Sequence, residues 1–140
     1  MNYIVVDASL WVARLVPQDA SHLVVRAWME AGRLAETEFL APALLLAELA
    51  GAISRRTGDA GLAAQALEHL QHLPGLRLVE MDRPLLDEAA HLAAELGLRG
   101  ADATYAAVAS RLNLPLATLD ADQSARAVQR VSIQPIQPIQ

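Results

Sequence analysis

Short apolar runs alternate with segments of helical periodicity along this chain, and this alternation limits its possible folds more than any other feature. The runs 3–6 (YIVV), 76–80 and 114–118 (LPLAT) are typical of buried strands, and 38–41 and 131–134 are two further candidates. Parallel strands need helix-length crossovers between them, whereas antiparallel strands need only a tight turn. The sequence therefore predicts an α/β fold with a small parallel sheet flanked by helices.

Proline and glycine residues bound the helical segments. Proline suits the first position of a helix, because its fixed φ fits there and its missing N–H would be unpaired in any case. We therefore expect a helix to run from Pro42 to about Arg56, with Gly58 ending it. The predicted helices cover residues 8–16, 20–33, 42–56, 59–73, 83–96, 102–113 and 121–129.

The length of 140 residues is typical of one domain, which we expect to cover residues 1–134. Residues 135–140 continue an Ile-Gln-Pro repeat, whose prolines favour an extended and frayed end. The N-terminus has no basic leader, and Pro42 and Glu48 interrupt the longest apolar runs well short of the roughly 20 residues that span a membrane. We expect a cytoplasmic protein that does not enter a membrane.

The composition narrows the chemistry further. The chain has no cysteine, which excludes thiol catalysis, zinc–thiolate sites and disulfides. It also has no lysine, which excludes Schiff-base chemistry and a P-loop. Two of the four histidines, His69 and His72, share a helix face, but no third metal ligand accompanies them.

Two carboxylates stand on helix faces where a plain core would not place them. Glu48 shares its face with Leu45 and Leu49, and burying a lone carboxylate there is costly unless it is paired. An internal salt bridge with an arginine would explain Glu48 without any function. Asp102 begins the predicted helix 102–113, where capping of the helix is the corresponding structural explanation.

Further carboxylates follow two of the apolar strands. Asp7 comes directly after 3–6, and Asp120 and Asp122 come after 114–118. A helix cap or a turn would explain each one alone. However, parallel strands deliver their carboxyl ends to one edge of the sheet, which is where open α/β sheets bind ligands.

Carboxylates that meet at one edge repel one another, by about 4 kcal/mol for a pair 4 Å apart at an effective dielectric of 20. A divalent cation would offset this repulsion. A donor set of oxygens alone favours Mg²⁺ or Mn²⁺, and these ions commonly serve phosphate chemistry. The sequence therefore predicts a metal site formed by four or five acids, from the set Asp7, Glu48, Asp102, Asp120 and Asp122.

Four short motifs, VVDASLW, ALLLAELAGAI, GADATYAAVA and LATLDAD, resemble in order and spacing those of the PIN-domain nucleases. More specifically, they resemble the VapC-type toxins of bacterial toxin–antitoxin pairs, over about residues 3–134. The resemblance implies a three-layer α/β/α fold and supports the assignment of these acids, except Asp122, as catalytic and metal-binding residues. It also implies that Asp122 acts on the metal through water and that Thr118 and Ser9 support the site.

The resemblance implies a Mg²⁺- or Mn²⁺-dependent endoribonuclease, the toxin of a toxin–antitoxin pair. Metal-activated water would hydrolyse RNA phosphodiesters and leave 5′-phosphate and 3′-hydroxyl ends. The implied partners are an RNA substrate, a cognate antitoxin protein and a second copy of the chain in a homodimer. Arginines that could contact the RNA backbone, if they are not ordinary surface residues, are Arg14, Arg55, Arg56, Arg99 and Arg111.

Two alternatives to this function remain open. One is a degenerate PIN-like binding module without catalysis, which the loss of an acid would favour; all four acids are present here. The other is a PIN-type nuclease that acts on DNA or in RNA processing, because the motifs do not indicate whether the substrate contains ribose or deoxyribose. The net charge of −5 becomes zero when the five candidate acids are set aside, so the acidic total does not argue against a nucleic-acid substrate.

Overall fold

The computed structural model describes residues 2–136, which contain four strands and seven helices. The strands are β1 (Tyr3–Val6), β2 (Glu38–Pro42), β3 (Leu76–Val79) and β4 (Leu116–Ala117). The helices are α1 (Ala8–Leu15), α2 (His22–Leu34), α3 (Leu45–Thr57), α4 (Ala60–Gln71), α5 (Arg83–Leu96), α6 (Gly100–Leu112) and α7 (Ala121–Ala127).

The four strands form one parallel sheet in the order β3-β2-β1-β4. In the register between neighbouring strands, Val5 of β1 lies opposite Leu40 on one side and Leu116 on the other. Since every strand runs in the same direction, all carboxyl ends lie at one edge of the sheet. The arrangement confirms the predicted α/β class and its three-layer α/β/α form.

Pro42 is the last residue of β2 and not the first residue of a helix, so that prediction is wrong. It lies opposite Val79 of β3, and α3 begins only at Leu45 after a turn. The pairing of β2 with β1 ends at Leu40, so the missing N–H of Pro42 breaks no bond of that ladder. The next N–H, that of Ala43, donates to the Val79 carbonyl at 2.9 Å and extends the pairing with β3.

The segment predicted as a last strand, 131–134, forms only a single parallel bridge, between Leu116 and Ile133. Within the described residues, β4 is therefore the outer strand of the sheet, and only one of the two acid-bearing strands, β1, is central. Beyond the bridge, Ile136 packs partly buried against the core. The rest of the predicted frayed tail, residues 137–140, lies outside the described range.

Helix α6 packs directly on the sheet, in contact with β1, β2 and β4. Its small side chains permit this approach, since Ala103, Ala106 and Ala107 are completely buried. An ion pair between Arg99, which precedes α6, and Asp120 spans the start of this helix and the end of β4. Among the described helices, none is long and apolar enough to cross a membrane.

Two adjacent leucines on α5 provide a matched test of the packing. Leu85 is completely buried, whereas Leu86 is 40% exposed. We expect Leu85→Ala to lower the free energy of unfolding by about 2–5 kcal/mol, because it leaves a cavity, and Leu86→Ala to lower it by less than about 1 kcal/mol. Urea unfolding of both variants measures the difference, and equal losses would contradict the assigned face of α5.

Candidate active site

The four predicted acids all lie at helix N-termini. Asp7 and Asp120 are the N-caps of α1 and α7, directly after β1 and β4. Glu48 and Asp102 lie in the first turns of α3 and α6. A helix N-terminus carries a partial positive charge that stabilises a nearby carboxylate. Asp7 and Asp120 therefore cap a helix and also belong to the carboxylate cluster. The structural explanation considered for Asp102 does not apply, because α6 starts two residues earlier, at Gly100, and Asp102 is not its cap.

Asp7 is buried and held from two directions. Its Oδ2 accepts hydrogen bonds from the Ser9 N–H at 3.1 Å and from the Thr118 hydroxyl at 3.2 Å. The Ser9 hydroxyl in turn accepts from the N–H of Leu119 at 3.0 Å, which ties the start of α1 to the segment after β4. Ser9 and Thr118, predicted as supporting residues, both contact Asp7.

Thr118 also connects to Asp120 and to Gln123, a residue that the sequence did not single out. Its hydroxyl accepts from the Asp120 N–H at 3.1 Å and lies 3.0 Å from Oε1 of Gln123, whose side chain is buried. The N–H of Gln123 donates to Oδ1 of Asp120 at 3.1 Å. The only sequence signal for Gln123 was its position three residues after a capping aspartate, which is common in any helix.

Glu48 accepts a 2.8 Å hydrogen bond from the hydroxyl of Tyr105, so its partner is a tyrosine and not the arginine considered from the sequence. Burial raises the pKa of Glu48, Tyr105 lowers it, and the negative charges of Asp7 and Asp102 raise it. Burial and the charge of Glu48 raise the pKa of Tyr105, which keeps its phenol protonated as a donor. The signal for Tyr105 was its place three residues after Asp102, on the same helix face.

Arg99 joins the remaining two acids. Its Nε donates to Oδ2 of Asp102 and its Nη2 to Oδ2 of Asp120, both at 3.0 Å. Burial raises the pKa of Asp102, Arg99 lowers it, and the charges of Asp7 and Asp120 raise it. The charges of Asp7 and Asp102 thus act on Glu48, and those of Asp7 and Asp120 act on Asp102, so each of the four carboxylates is coupled to at least one other.

The carboxylates are therefore close together, but not as an assembled ligand set. Within residues 2–136, no three histidine, aspartate or glutamate side chains lie in an arrangement that could hold a metal ion. A counter-charge that the sequence did not predict lies within the cluster, because the guanidinium of Arg99 contacts both Asp102 and Asp120. In chemical terms, the site offers oxygen donors with one cation among them.

The PIN-domain family model matches residues 4–129 of the sequence. The chain belongs to the PIN-domain family. This confirms the resemblance on which the site assignment was based.

The solved structures similar to this PIN domain include VapC20 from Mycobacterium tuberculosis, a sarcin–ricin loop cleaving toxin. The two share 24% identity with a TM-score of 0.74, over 94% of this chain and 99% of that chain. FitAcB from Neisseria gonorrhoeae shares 24% identity with a TM-score of 0.68, over 93% and 95% of the two chains. PAE2754 from Pyrobaculum aerophilum shares 25% identity with a TM-score of 0.66, over 94% and 90%. Among curated proteins, none matches the chain.

Asp122 lies at the rim of the PIN-domain site. Its side chain is 74% exposed and forms an ion pair with Arg126 at 3.0 Å, one turn further along α7. Its backbone N–H donates to Oδ1 of Asp120 at 2.9 Å. A role of Asp122 through water stays a prediction.

The arginines considered as RNA contacts do not gather at this site. Arg99 reaches the carboxylates, but Arg56 pairs with Asp19 at 2.7 Å and Arg111 with Glu88 at 3.3 Å. The remaining two are Arg14, which lines a cavity of about 240 Å³ with Trp11 and Met29, and the exposed Arg55.

The hydroxyl of Thr118 can be tested with variants of nearly equal size. Thr118→Val removes the donor to Asp7 and the acceptor for the Asp120 N–H, so buried polar groups lose their partners. We expect a loss of about 1–3 kcal/mol in the free energy of unfolding, measured with urea without metal. Thr118→Ser keeps the hydroxyl and should retain most of that stability; a valine variant as stable as the serine variant would contradict the network.

The raised pKa values of Glu48 and Asp102 predict a pH dependence of the metal-free protein. A folded carboxyl with a raised pKa holds its proton to higher pH than the unfolded chain does. Stability is therefore fully present below the ordinary values, 4.5 for Glu48 and 3.8 for Asp102, and falls as the pH rises through the folded pKa values. Glu48→Gln should reduce this fall, as measured by urea unfolding across pH 4–8 in chelator.

The control for the loss of one negative charge is Glu80→Gln, at an exposed glutamate outside the cluster. If Glu48→Gln shows the same pH dependence of stability as the wild type, ionisation of Glu48 does not destabilise the folded protein, which contradicts the prediction.

Proposed function

We propose that this PIN domain is a divalent-metal-dependent endoribonuclease and the toxin component of a toxin–antitoxin pair. The observation that carries the proposal is the convergence of four carboxylates from four helix N-termini, Asp7, Glu48, Asp102 and Asp120, where burial and mutual repulsion raise the pKa of two of them. Carboxyl groups with raised pKa values that gather in this way are typical of functional sites, and a bound cation would offset their repulsion.

The donor set fits a hard divalent ion, because every donor is a carboxylate oxygen and neither cysteine nor histidine accompanies them. Asp7, Asp102 and Asp120 would hold Mg²⁺ or Mn²⁺, together with Glu48, and Asp122 would act through a water molecule. The bound ion would activate water for attack on the scissile phosphorus and offset the charge of the leaving 3′-oxygen, which yields 5′-phosphate and 3′-hydroxyl products.

The surrounding residues keep the carboxylates in place for this reaction. Ser9 and Thr118 fix Oδ2 of Asp7, so this carboxylate keeps one orientation with or without a ligand. Tyr105 fixes Oε1 of Glu48. One of the four acids, or Asp122 through a water molecule, would orient the attacking water.

The biological role rests on the family and on its solved structures. VapC20 is a toxin that cleaves the sarcin–ricin loop, which supports RNA as the substrate class. VapBC2 from Rickettsia felis is described as bound to a DNA fragment from its promoter, and FitAB as bound to the IR36 DNA fragment. By likeness to these complexes, we propose a cognate antitoxin protein as partner. We also propose a homodimer, on the resemblance to VapC-type toxins, and a cytoplasmic location.

Asp120 and Asp122 provide the test, since the same substitution two residues apart should have unequal effects. Asp120 caps α7, and asparagine caps equally well, so Asp120→Asn should fold normally and lose nearly all cleavage of RNA. Asp122→Asn should keep a reduced rate that higher Mn²⁺ concentrations raise, because the loss of an outer-shell residue typically costs about 10–100-fold.

The assay follows cleavage of single-stranded RNA and of DNA of the same sequence across a Mn²⁺ titration, with melting temperatures recorded in parallel. Binding of Mn²⁺ to the native state should raise the melting temperature of the wild type. Cleavage of DNA alone would favour the DNA-directed alternative. Mn²⁺ stabilisation without any cleavage would favour a binding module, and an active Asp120 variant would refute the assignment of that residue.

A further inference from the structure

Arg99 is a cation built into the carboxylate cluster. It contacts Asp102, three residues ahead of it, and Asp120, which lies 21 residues away at the start of another helix. Both contacts involve Oδ2, and both are 3.0 Å long. One guanidinium therefore neutralises two of the four proposed metal ligands at once.

The backbone at Arg99 is fixed, but the side chain is free to move. Arg99 is the N-cap residue of α6 in an extended conformation, it follows the buried Leu98, and its carbonyl accepts from the N–H of Ala103 at 2.9 Å. Its side chain is 77% exposed, so it can leave the carboxylates without unpacking the core. The long arginine stem then keeps the guanidinium within reach of the site.

A metal ion and this guanidinium need the same oxygens. A carboxylate oxygen that accepts a charge-assisted hydrogen bond has less negative charge to offer a divalent ion, and the two cations repel each other. An arginine side chain does not lose its proton in proteins, so the guanidinium competes with the metal ion at every pH at which the protein is folded.

We propose that Arg99 is an internal counter-cation that a divalent metal displaces from Asp102 and Asp120, and that the released guanidinium then binds an RNA phosphodiester beside the site. The proposal rests on the proposed function and extends it. A guanidinium presents paired N–H donors that match phosphate as well as carboxylate, so the same side chain can exchange one oxyanion for the other. Before metal binds, Arg99 stabilises the folded cluster; afterwards it contacts the substrate.

The two halves of this exchange predict effects of opposite sign. Removal of the charge at residue 99 should tighten metal binding, because a competitor is lost, and should weaken RNA binding, because a phosphate contact is lost. If Arg99 had only a structural role, its substitution would not change the affinities for metal and for RNA in opposite directions.

Arg111 provides a matched control. It also contacts two acids, Glu88 at 3.3 Å and Asp82 at 3.8 Å, but neither belongs to the carboxylate cluster. Glutamine at either position keeps a polar side chain and removes the charge. We therefore compare the wild type with Arg99→Gln and Arg111→Gln in the full chain.

The first measurement is calorimetric titration of the chelator-stripped proteins with Mn²⁺, without RNA, at neutral pH and low salt. Arg99→Gln should bind Mn²⁺ about tenfold more tightly than the wild type, and Arg111→Gln within about twofold of it. Equal or weaker Mn²⁺ binding by Arg99→Gln overturns the displacement. If no protein binds Mn²⁺, the proposed function itself fails and the exchange fails with it.

The second measurement is fluorescence anisotropy in Mn²⁺ of a short single-stranded RNA with phosphorothioate linkages, which keep the backbone charge and resist cleavage, so that all carboxylates of the cluster stay in place. Arg99→Gln should bind RNA several-fold more weakly and lower the slope of log affinity against log salt by about 1. Arg111→Gln should match its parent. An Arg99→Gln variant that binds RNA as tightly as its parent overturns the phosphate contact.

Discussion

The rest of this structure depends on how like-charged carboxylates are held together. Asp7, Glu48, Asp102 and Asp120 lie close enough for their charges to raise the pKa of neighbouring members, yet all are positioned where a helix begins. The partial positive charges of four helix N-termini oppose the repulsion. The parallel sheet makes this convergence possible, because it brings the ends of β1 and β4 to one edge. The guanidinium of Arg99 supplies the remaining positive charge.

Hydrogen bonds turn this cluster into a fixed geometry. The Thr118 hydroxyl joins Asp7 to the backbone of Asp120, so the two strand ends that carry these acids cannot separate independently. Ser9 adds a second tie to the segment after β4. These hydrogen bonds hold Asp7 and the backbone of Asp120 in place, whereas the side chains of Asp102 and Asp120 are held by Arg99.

Local patterns were enough to predict the four strands and the helices and to single out the four acids, because apolar runs, glycine stops and acids after strands are signals within a few residues. The predicted strand 131–134 forms only a bridge. Pro42 was misplaced because its local preference for a helix start competes with a strand register that only the tertiary structure defines. The contacts of Arg99 with Asp120 and of Thr118 with Asp7 join residues 21 and 111 positions apart. Spacing along a helix or strand carries no information about such pairs, so the counter-charge within the site could not be predicted.

The central claim is that the carboxylates at the sheet edge form one divalent-cation site. Anomalous diffraction from crystals grown with Mn²⁺ tests it directly, since the anomalous peak locates the ion without reference to activity. The account predicts a peak in contact with carboxylate oxygens of Asp7 and of at least one of Asp102 and Asp120, with the Arg99 guanidinium no longer between the latter two. A peak elsewhere on the molecule, or none at this edge with millimolar Mn²⁺ present, would contradict it.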